Sequence, residues 1–331
     1  MNTTPDLVSV VGTVFNESEN IVPFYERLMI AAEKLDCKIE ILFVDDGSHD
    51  DSSAKILELA KKDPRIKALR LSKNFGGFNA AIAGLDHAEG DAIMITAVDL
   101  QEPPELLIDF VENWKEGADI VWAVRTARKD SFFKKLFPRI FYWLLRKLAF
   151  PDFPEQGMDC GLFDRRVINA YRNLRERTGT PFYTIYSLGF QTAWVPYVRQ
   201  ERVAHESGWT FWRRMANAID TVTTYSYKPI RLISLLGIFV SFLSLIYGIT
   251  IILQWIFFGF DMPGWPSLVI LILFMGGVQI SVLGVIAEYI FINNKNTVKS
   301  PRYIVMDVIG KPNMSLTHNL PKSGFVALKE K

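Results

Sequence analysis

Asp99 and Gln101 stand two residues apart in the stretch Ile95-Thr96-Ala97-Val98-Asp99-Leu100-Gln101-Glu102-Pro103-Pro104. A carboxylate and an amide oxygen at that spacing face the same way if the chain stays extended. Such a pair suits a hard divalent cation, Mg²⁺ or Mn²⁺, which usually also bridges a substrate's phosphates. The plainer reading is an aspartate that ends a strand and starts a turn before a proline. Three other apolar runs end in the same kind of group: Asn16 and Glu17 after Leu7–Val14, Asp45 and Asp46 after residues 38–44, and Arg125 after residues 119–124. One acidic strand end is commonplace. Four on one rim describe a pocket for a nucleotide or a phosphate, because ligands of an open α/β sheet gather where strands end.

The elements that position these groups follow from periodicity. β-branched apolar runs at 7–14, 38–44, 66–71, 92–97 and 119–124 read as buried strands. Between them, residues 21–35, 52–61, 79–88 and 105–115 carry apolar side chains at helical spacing. Strand and helix alternate, which predicts βαβ units and a parallel sheet.

The chain has 331 residues, with 37 Lys plus Arg against 36 Asp plus Glu, so charge offers no nucleic-acid partner. Cys37 and Cys160 give no disulfide framework and fit a reducing compartment. The polar start of the chain lacks the basic and apolar regions of a signal peptide, which puts the residues from Leu7 onward on the cytosolic side. Hydrophobic content is 49% and concentrated late in the chain. Residues 232–260 and 265–287 carry no charge, and each reads as a membrane span. Lys228 and Arg231 precede the pair, Lys295, Lys299 and Arg302 come after it, and the loop 261–264 has no basic residue. The positive-inside rule then makes both ends cytoplasmic. Residues 132–148 form a basic amphipathic stretch that either lies in the membrane interface or packs on the preceding domain, and Pro138 falls within it. A second one, 209–230, carries Trp209, Trp212, Arg213 and Arg214 at headgroup level. The expected layout is a cytosolic domain over 1–208, a juxtamembrane helix over 209–230, two transmembrane helices (232–260 and 265–290) within 231–293, and a cytosolic tail over 294–331.

The segments Thr13-Val14-Phe15-Asn16-Glu17, Val44-Asp45-Asp46-Gly47-Ser48, Asn74-Phe75-Gly76, Ala83-Gly84-Leu85-Asp86-His87-Ala88, Gly90-Asp91 and Val98-Asp99-Leu100-Gln101 form an ordered series. The series resembles the motifs of inverting GT-A glycosyltransferases. It is most similar to the polyisoprenyl-phosphate branch, which includes bactoprenol glucosyltransferases and dolichyl-phosphate mannose synthases. The resemblance runs from about residue 7 to 305 and implies an α/β fold with a GT-A (Rossmann-like), mostly parallel sheet and flanking helices. Interfacial amphipathic helices and a two-helix transmembrane hairpin would complete the chain. It implies transfer of a hexose from a nucleotide-sugar such as UDP-glucose to undecaprenyl phosphate with inversion, for modification of a cell-envelope glycan. Thr13, Phe15, Glu17, Phe43 and Asp45 match positions that hold the base and ribose. Asp99 and Gln101 match metal and diphosphate positions. Arg125 and Arg202 match donor-phosphate contacts, and Asp159 falls in a loop motif that faces the acceptor. Asp99 and Asp159 are the expected catalytic residues. Further expectations are a multi-pass protein of the bacterial inner membrane, a homo-oligomer (a tetramer in many members of the family), a separate flippase and a downstream transferase.

Three positions depart from the pattern. Ala97 stands where the family usually has the first Asp of Asp-x-Asp, Gly161 where it has an arginine, and Gly208 where it has a lysine. A methyl group or a hydrogen does not bind charge as a carboxylate or a cation does. The metal site is thereby weakened. The alternative is a glycosyltransferase-like chain that acts as a binding or accessory subunit without turnover.

Overall fold

The structure is a computed structural model. It describes residues 6–126, 141–143, 145–148, 150–154, 157–174, 180–200, 264–297 and 301–310, with isolated helical residues between 228 and 257. Two compact units divide the chain: residues 1–143, 152–210 and 300–331 form one, and 144–151 with 211–299 the other.

The first unit begins as its periodicity predicts. Strands β1 (Leu7–Val14), β2 (Lys38–Asp45), β3 (Ile66–Leu71) and β4 (Ala92–Ala97) alternate with helices α1 (Ile21–Ala32), α2 (Ser52–Lys62) and α3 (Gly77–His87). Helix α4 (Leu106–Lys115) and strand β5 (Ile120–Arg125) come next. β1 to β4 are mutually parallel, in the order β4-β1-β2-β3. Alternate residues of a strand leave opposite faces of the sheet. Val8, Val10 and Val14 of β1 accordingly join one core with Phe24 and Leu28 of α1 and Phe110 and Trp114 of α4. Val11 joins a second core with Ala80, Ala83 and Leu85 of α3. The result is a sheet covered by helices on both faces.

Three strands were not legible in the sequence pattern. β6 (Gly161–Asp164) inserts antiparallel between β4 and β5. β7 (Thr192–Tyr197) runs parallel to β5 at one edge, where Pro196 is tolerated because an edge strand leaves one row of N–H groups unpaired. β8 (Val305–Ile309), from within the expected tail, pairs antiparallel with β3 at the other edge. The eight strands run β7-β5-β6-β4-β1-β2-β3-β8, a mostly parallel sheet with two antiparallel strands, β6 inserted within it and β8 at its edge. Helices α5 (Arg165–Arg172) and α6 (Pro181–Ser187) cover the β6 side through Val167, Ile168 and Ile185.

The second unit contains helix α7 (Trp265–Thr297). The expected localisation, a multi-pass protein of the bacterial inner membrane, is corrected here. Among the described residues no helix is long and apolar enough to cross a membrane. Most of residues 232–260, nearly all of the stretch 209–230, and residues 132–140 lie outside the described residues, as does the segment 311–331.

Candidate functional site

The order of strands reverses between β4 and β2 on either side of β1, so a crevice opens at the C-terminal ends of these strands. Register brings the ends together: Thr13 lies opposite Ala97 on one side of β1, and Val14 opposite Asp45 on the other. Thr13 also ties the two strands beyond the ladder, its carbonyl accepting from Val98 N–H at 3.2 Å.

After β1 the chain turns sharply at Asn16, whose φ of 55° is unusual for a residue with a side chain. The turn is held from both ends. Asn16 N–H donates to Ser48 Oγ at 2.9 Å, and its Oδ1 accepts from His49 N–H at 2.9 Å. Glu17 is buried, its N–H donating to Ser52 Oγ and its Oε2 accepting from Asn20 Nδ2 at 2.6 Å. Asp45 accepts from Ser48 N–H at 2.8 Å and from the Ser53 hydroxyl. Asp46 accepts from the N–H groups of Phe75 and Gly76 at 2.7 and 2.8 Å, which fixes the start of α3. Burial pushes the Asp46 carboxyl up, and those two N–H groups partly offset it. Gly47 must be glycine on two counts: its φ is 72°, and a Cβ would lie 2.7 Å from the backbone of Lys73. Phe15 is exposed on this rim.

Phe43 is not on the rim. It is fully buried, edge-on to Phe24 at 6.2 Å between ring centroids. Two residues before the end of β2, its side chain points into the core, so it supports the rim from beneath.

The Asp99 loop differs from its expected geometry. Leu100 has φ 58°, so the chain does not stay extended and the side chains of Asp99 and Gln101 do not project in parallel. Asp99 Oδ1 accepts from Gln101 N–H at 3.1 Å, a tight turn closed by the carboxylate itself. The amide oxygen of Gln101 accepts from Arg199 Nη2, beyond the end of β7. Next to it lies Glu102, a residue that neither periodicity nor motif singles out. It is buried, and burial, reinforced by the charges of Asp99 and Asp159, raises its carboxyl to about 8, with Arg199 and Arg125 pulling the other way. Burial is the larger cause, so the raised value marks a desolvated carboxyl with both carboxylates and arginines close enough to act on it.

Two carboxyls close enough to act on one another, Asp99 and Glu102, suit a divalent cation. Asp99 and Glu102 are the carboxyls that would hold it, and Gln101 is committed to Arg199. Among the described residues no group of three or more His, Cys, Asp or Glu forms a complete cage. Mg²⁺-type sites with one or two carboxylates take their remaining ligands from water and substrate phosphates.

Arg125, the last residue of β5, makes a two-pronged ion pair with Asp159, and Tyr197 of β7 donates its hydroxyl to Asp159 at 2.7 Å. Both charged side chains are mostly buried. Burial works against the Arg125 cation, but the hydrogen bond and charge of Asp159 outweigh it and raise the group above its ordinary value. Burial also raises the Tyr197 hydroxyl, with the Asp159 charge adding to it, so this hydroxyl stays a donor. The departure at Gly161 has a steric cause. A Cβ there would lie 2.7 Å from both Trp122 Cε3 and the carbonyl of Val121, so no arginine fits. Arg202, the remaining expected donor contact, and Gly208 lie outside the described residues.

The family model for glycosyl transferase family 2 matches residues 9–183. The chain is similar to the SfII prophage-derived bactoprenol glucosyl transferase of Shigella flexneri, 38% identical over 302 residues that cover 90% of this chain and 97% of that protein. It is also similar to the prophage bactoprenol glucosyl transferase homolog of Escherichia coli K12, 37% identical over 302 residues, 91% of this chain and 99% of that one. Among solved structures, the mannosyltransferase PcManGT from Pyrobaculum calidifontis, in complex with GDP-Man and Mn²⁺, is 21% identical with a TM-score of 0.48, over 69% of this chain and 65% of that one.

Proposed function

The chain belongs to glycosyl transferase family 2, and on that premise we propose that it moves a hexose from a nucleoside-diphosphate sugar to the phosphate of a polyprenyl phosphate, inverting the anomeric carbon. The relatives named above as bactoprenol glucosyl transferases support the acceptor class and make glucose the first sugar to test. The observation that carries the reading is the meeting of Asp45, Asp99, Glu102 and the Arg125–Asp159 pair on one rim at the strand-order switch.

A phosphate monoester is largely dianionic at pH 7, its second pKa being about 6, so the attacking oxygen needs little help from a base. The new bond forms from that oxygen to the anomeric carbon, and the bond to the nucleoside diphosphate breaks with its electron pair leaving on the diphosphate. No proton need move. The demanding step is to receive the departing charge. Arg125, aimed by Asp159 and Tyr197, is suited to it, since a guanidinium matches phosphate oxygens in a fixed fork. Asp159 thus acts near the reacting atoms by holding Arg125 and facing the acceptor. Mg²⁺ or Mn²⁺ bound at Asp99 and Glu102 would neutralise diphosphate charge. Thr13, Phe15, Glu17 and Asp45 would hold base and ribose, with Arg202 as a second phosphate contact. The lipid-linked hexose so formed is an activated sugar that a downstream transferase must consume.

Full-length protein in detergent, given undecaprenyl phosphate and a panel of labelled UDP- and GDP-sugars, should yield a labelled lipid, and Asp99→Asn should lower its rate by about a hundredfold or more. No labelled lipid with any donor, with or without Mn²⁺, would sink the reading.

A further inference from the structure

Arg199 is not among the residues that the motif series singles out, yet it is fastened to the Asp99 loop from two directions. Its Nη2 donates to Gln101 Oε1. The next residue repeats the attachment through the backbone, Gln200 N–H donating to the Gln101 carbonyl at 3.1 Å. Gln200 Oε1 in turn accepts from Arg27 Nη1 at 3.1 Å, and Arg27 forks onto Glu105 at 2.7 and 2.8 Å. Helix α1, the segment after β7 and both ends of the 101–105 loop are thereby linked through two guanidiniums, Arg199 and Arg27. Arg199 Nε is buried with no hydrogen-bond partner among the described residues. A buried charged donor left unmatched is costly, and a carbonyl or phosphate oxygen would relieve it.

Two facts give this cation a purpose. Ala97 contributes no ligand where the pattern has a carboxylate, and Gln101 has given its amide oxygen to Arg199. The pocket nevertheless keeps carboxyls at Asp99 and Glu102, and Arg199 is one of the charges that act on Glu102. We propose that Arg199 is a resident cation of the donor site, which supplies to the nucleoside diphosphate part of the positive charge that a divalent metal supplies where two carboxylates are present. Donor binding in this chain is then only weakly dependent on metal. Gln101 holds the Arg199 side chain, and the bonds of Gln200 to Gln101 and Arg27 hold the residue beside it, so less freedom is lost when the diphosphate arrives than a freely moving lysine would lose.

The inference rests on the nucleotide-sugar reading above, and binding separates the two. Calorimetric titration of the full-length protein with UDP and with GDP, in excess Mg²⁺ and in EDTA, is the measurement. In the wild type, chelation should weaken nucleotide binding by less than about tenfold. Arg199→Gln should lose about a hundredfold in EDTA and under tenfold in Mg²⁺, since the metal then carries the charge. Electron paramagnetic titration with Mn²⁺ alone should show tighter Mn²⁺ binding to Arg199→Gln, because Gln101 is released, and that gain should vanish in Arg199→Gln/Gln101→Ala. The Mn²⁺ signal also reports that the variant is folded. Wild-type binding abolished by EDTA, or Arg199→Gln binding nucleotide as the wild type does in EDTA, overturns the assignment. Absence of UDP and GDP binding to the wild type under every condition overturns the donor reading itself.

Discussion

At the scale of single residues, the site is a set of charges that hold one another in check. Asp159 is bound on two sides by Arg125 and Tyr197, and neither partner was evident as such from sequence, where Arg125 and Asp159 lie 34 positions apart. Removing one member of a mostly buried ion pair strands the other, at a cost of about 3 kcal/mol, whereas removing both leaves no uncompensated charge. A double-mutant cycle over Arg125→Ala and Asp159→Ala, read by urea unfolding, should therefore show the double variant well short of the sum of the singles. Additive losses would mean that the pair does not form in solution.

At the scale of elements, the corner between α2 and β3 shows how a polar group is made to stay inside. Asp63, just past α2, accepts from the Tyr25 hydroxyl at 2.8 Å and from the backbone and guanidinium of Arg65. The Arg65 hydrogen bonds, working against burial, hold its carboxyl down at about 2, well below the usual 3.8. A depressed carboxylate stabilises the fold fully above its unfolded value, and the contribution is lost as pH falls through the folded one. Asp63→Asn should cost about 1 kcal/mol near pH 7, because Arg65 is partly exposed and screened by water. The difference from wild type in Tm should shrink from pH 4 down to pH 2. A gap that stays constant over that range would assign the loss to packing. The alternation that sets α2 and β3 was legible in sequence, but the Tyr25 contact was not, since it joins residues 38 positions apart.

At the scale of the molecule, the sheet is closed by a strand from near the end of the chain. β8 covers the edge of β3, and Tyr303, just before it, donates to Asp86 Oδ2 at 3.0 Å and stands edge-on to the buried His87. β8 then becomes the edge itself, and its five residues leave only a short row of unpaired groups for another chain to pair with. Tyr303→Phe removes the hydrogen bond and leaves the ring. It should raise amide exchange across Val305–Ile309 by about fivefold, equivalent to about 1 kcal/mol, with β1 and β2 unchanged. Unaltered exchange in β8 would show that the strand is held by its ladder alone.

The sequence by itself determined the order of the first five strands and four helices, because each announces itself in local periodicity. It also determined the polar rim at their ends and, through motifs in register, the family. Gln101 was legible as a polar group near the site, but its commitment to Arg199 was not, since that bond spans 98 positions and depends on where β7 ends. The same holds for β6, whose four residues are too short for a pattern, and for β8, which reads as tail until β3 gives it a partner. Phe43 was singled out only by its match to a base- and ribose-holding position; the pleat and the depth of the strand end put its side chain in the core. Periodicity and turn chemistry act over a few residues and are written in the chain. Which distant side chain satisfies a buried charge is decided by packing, and only the tertiary structure contains that choice.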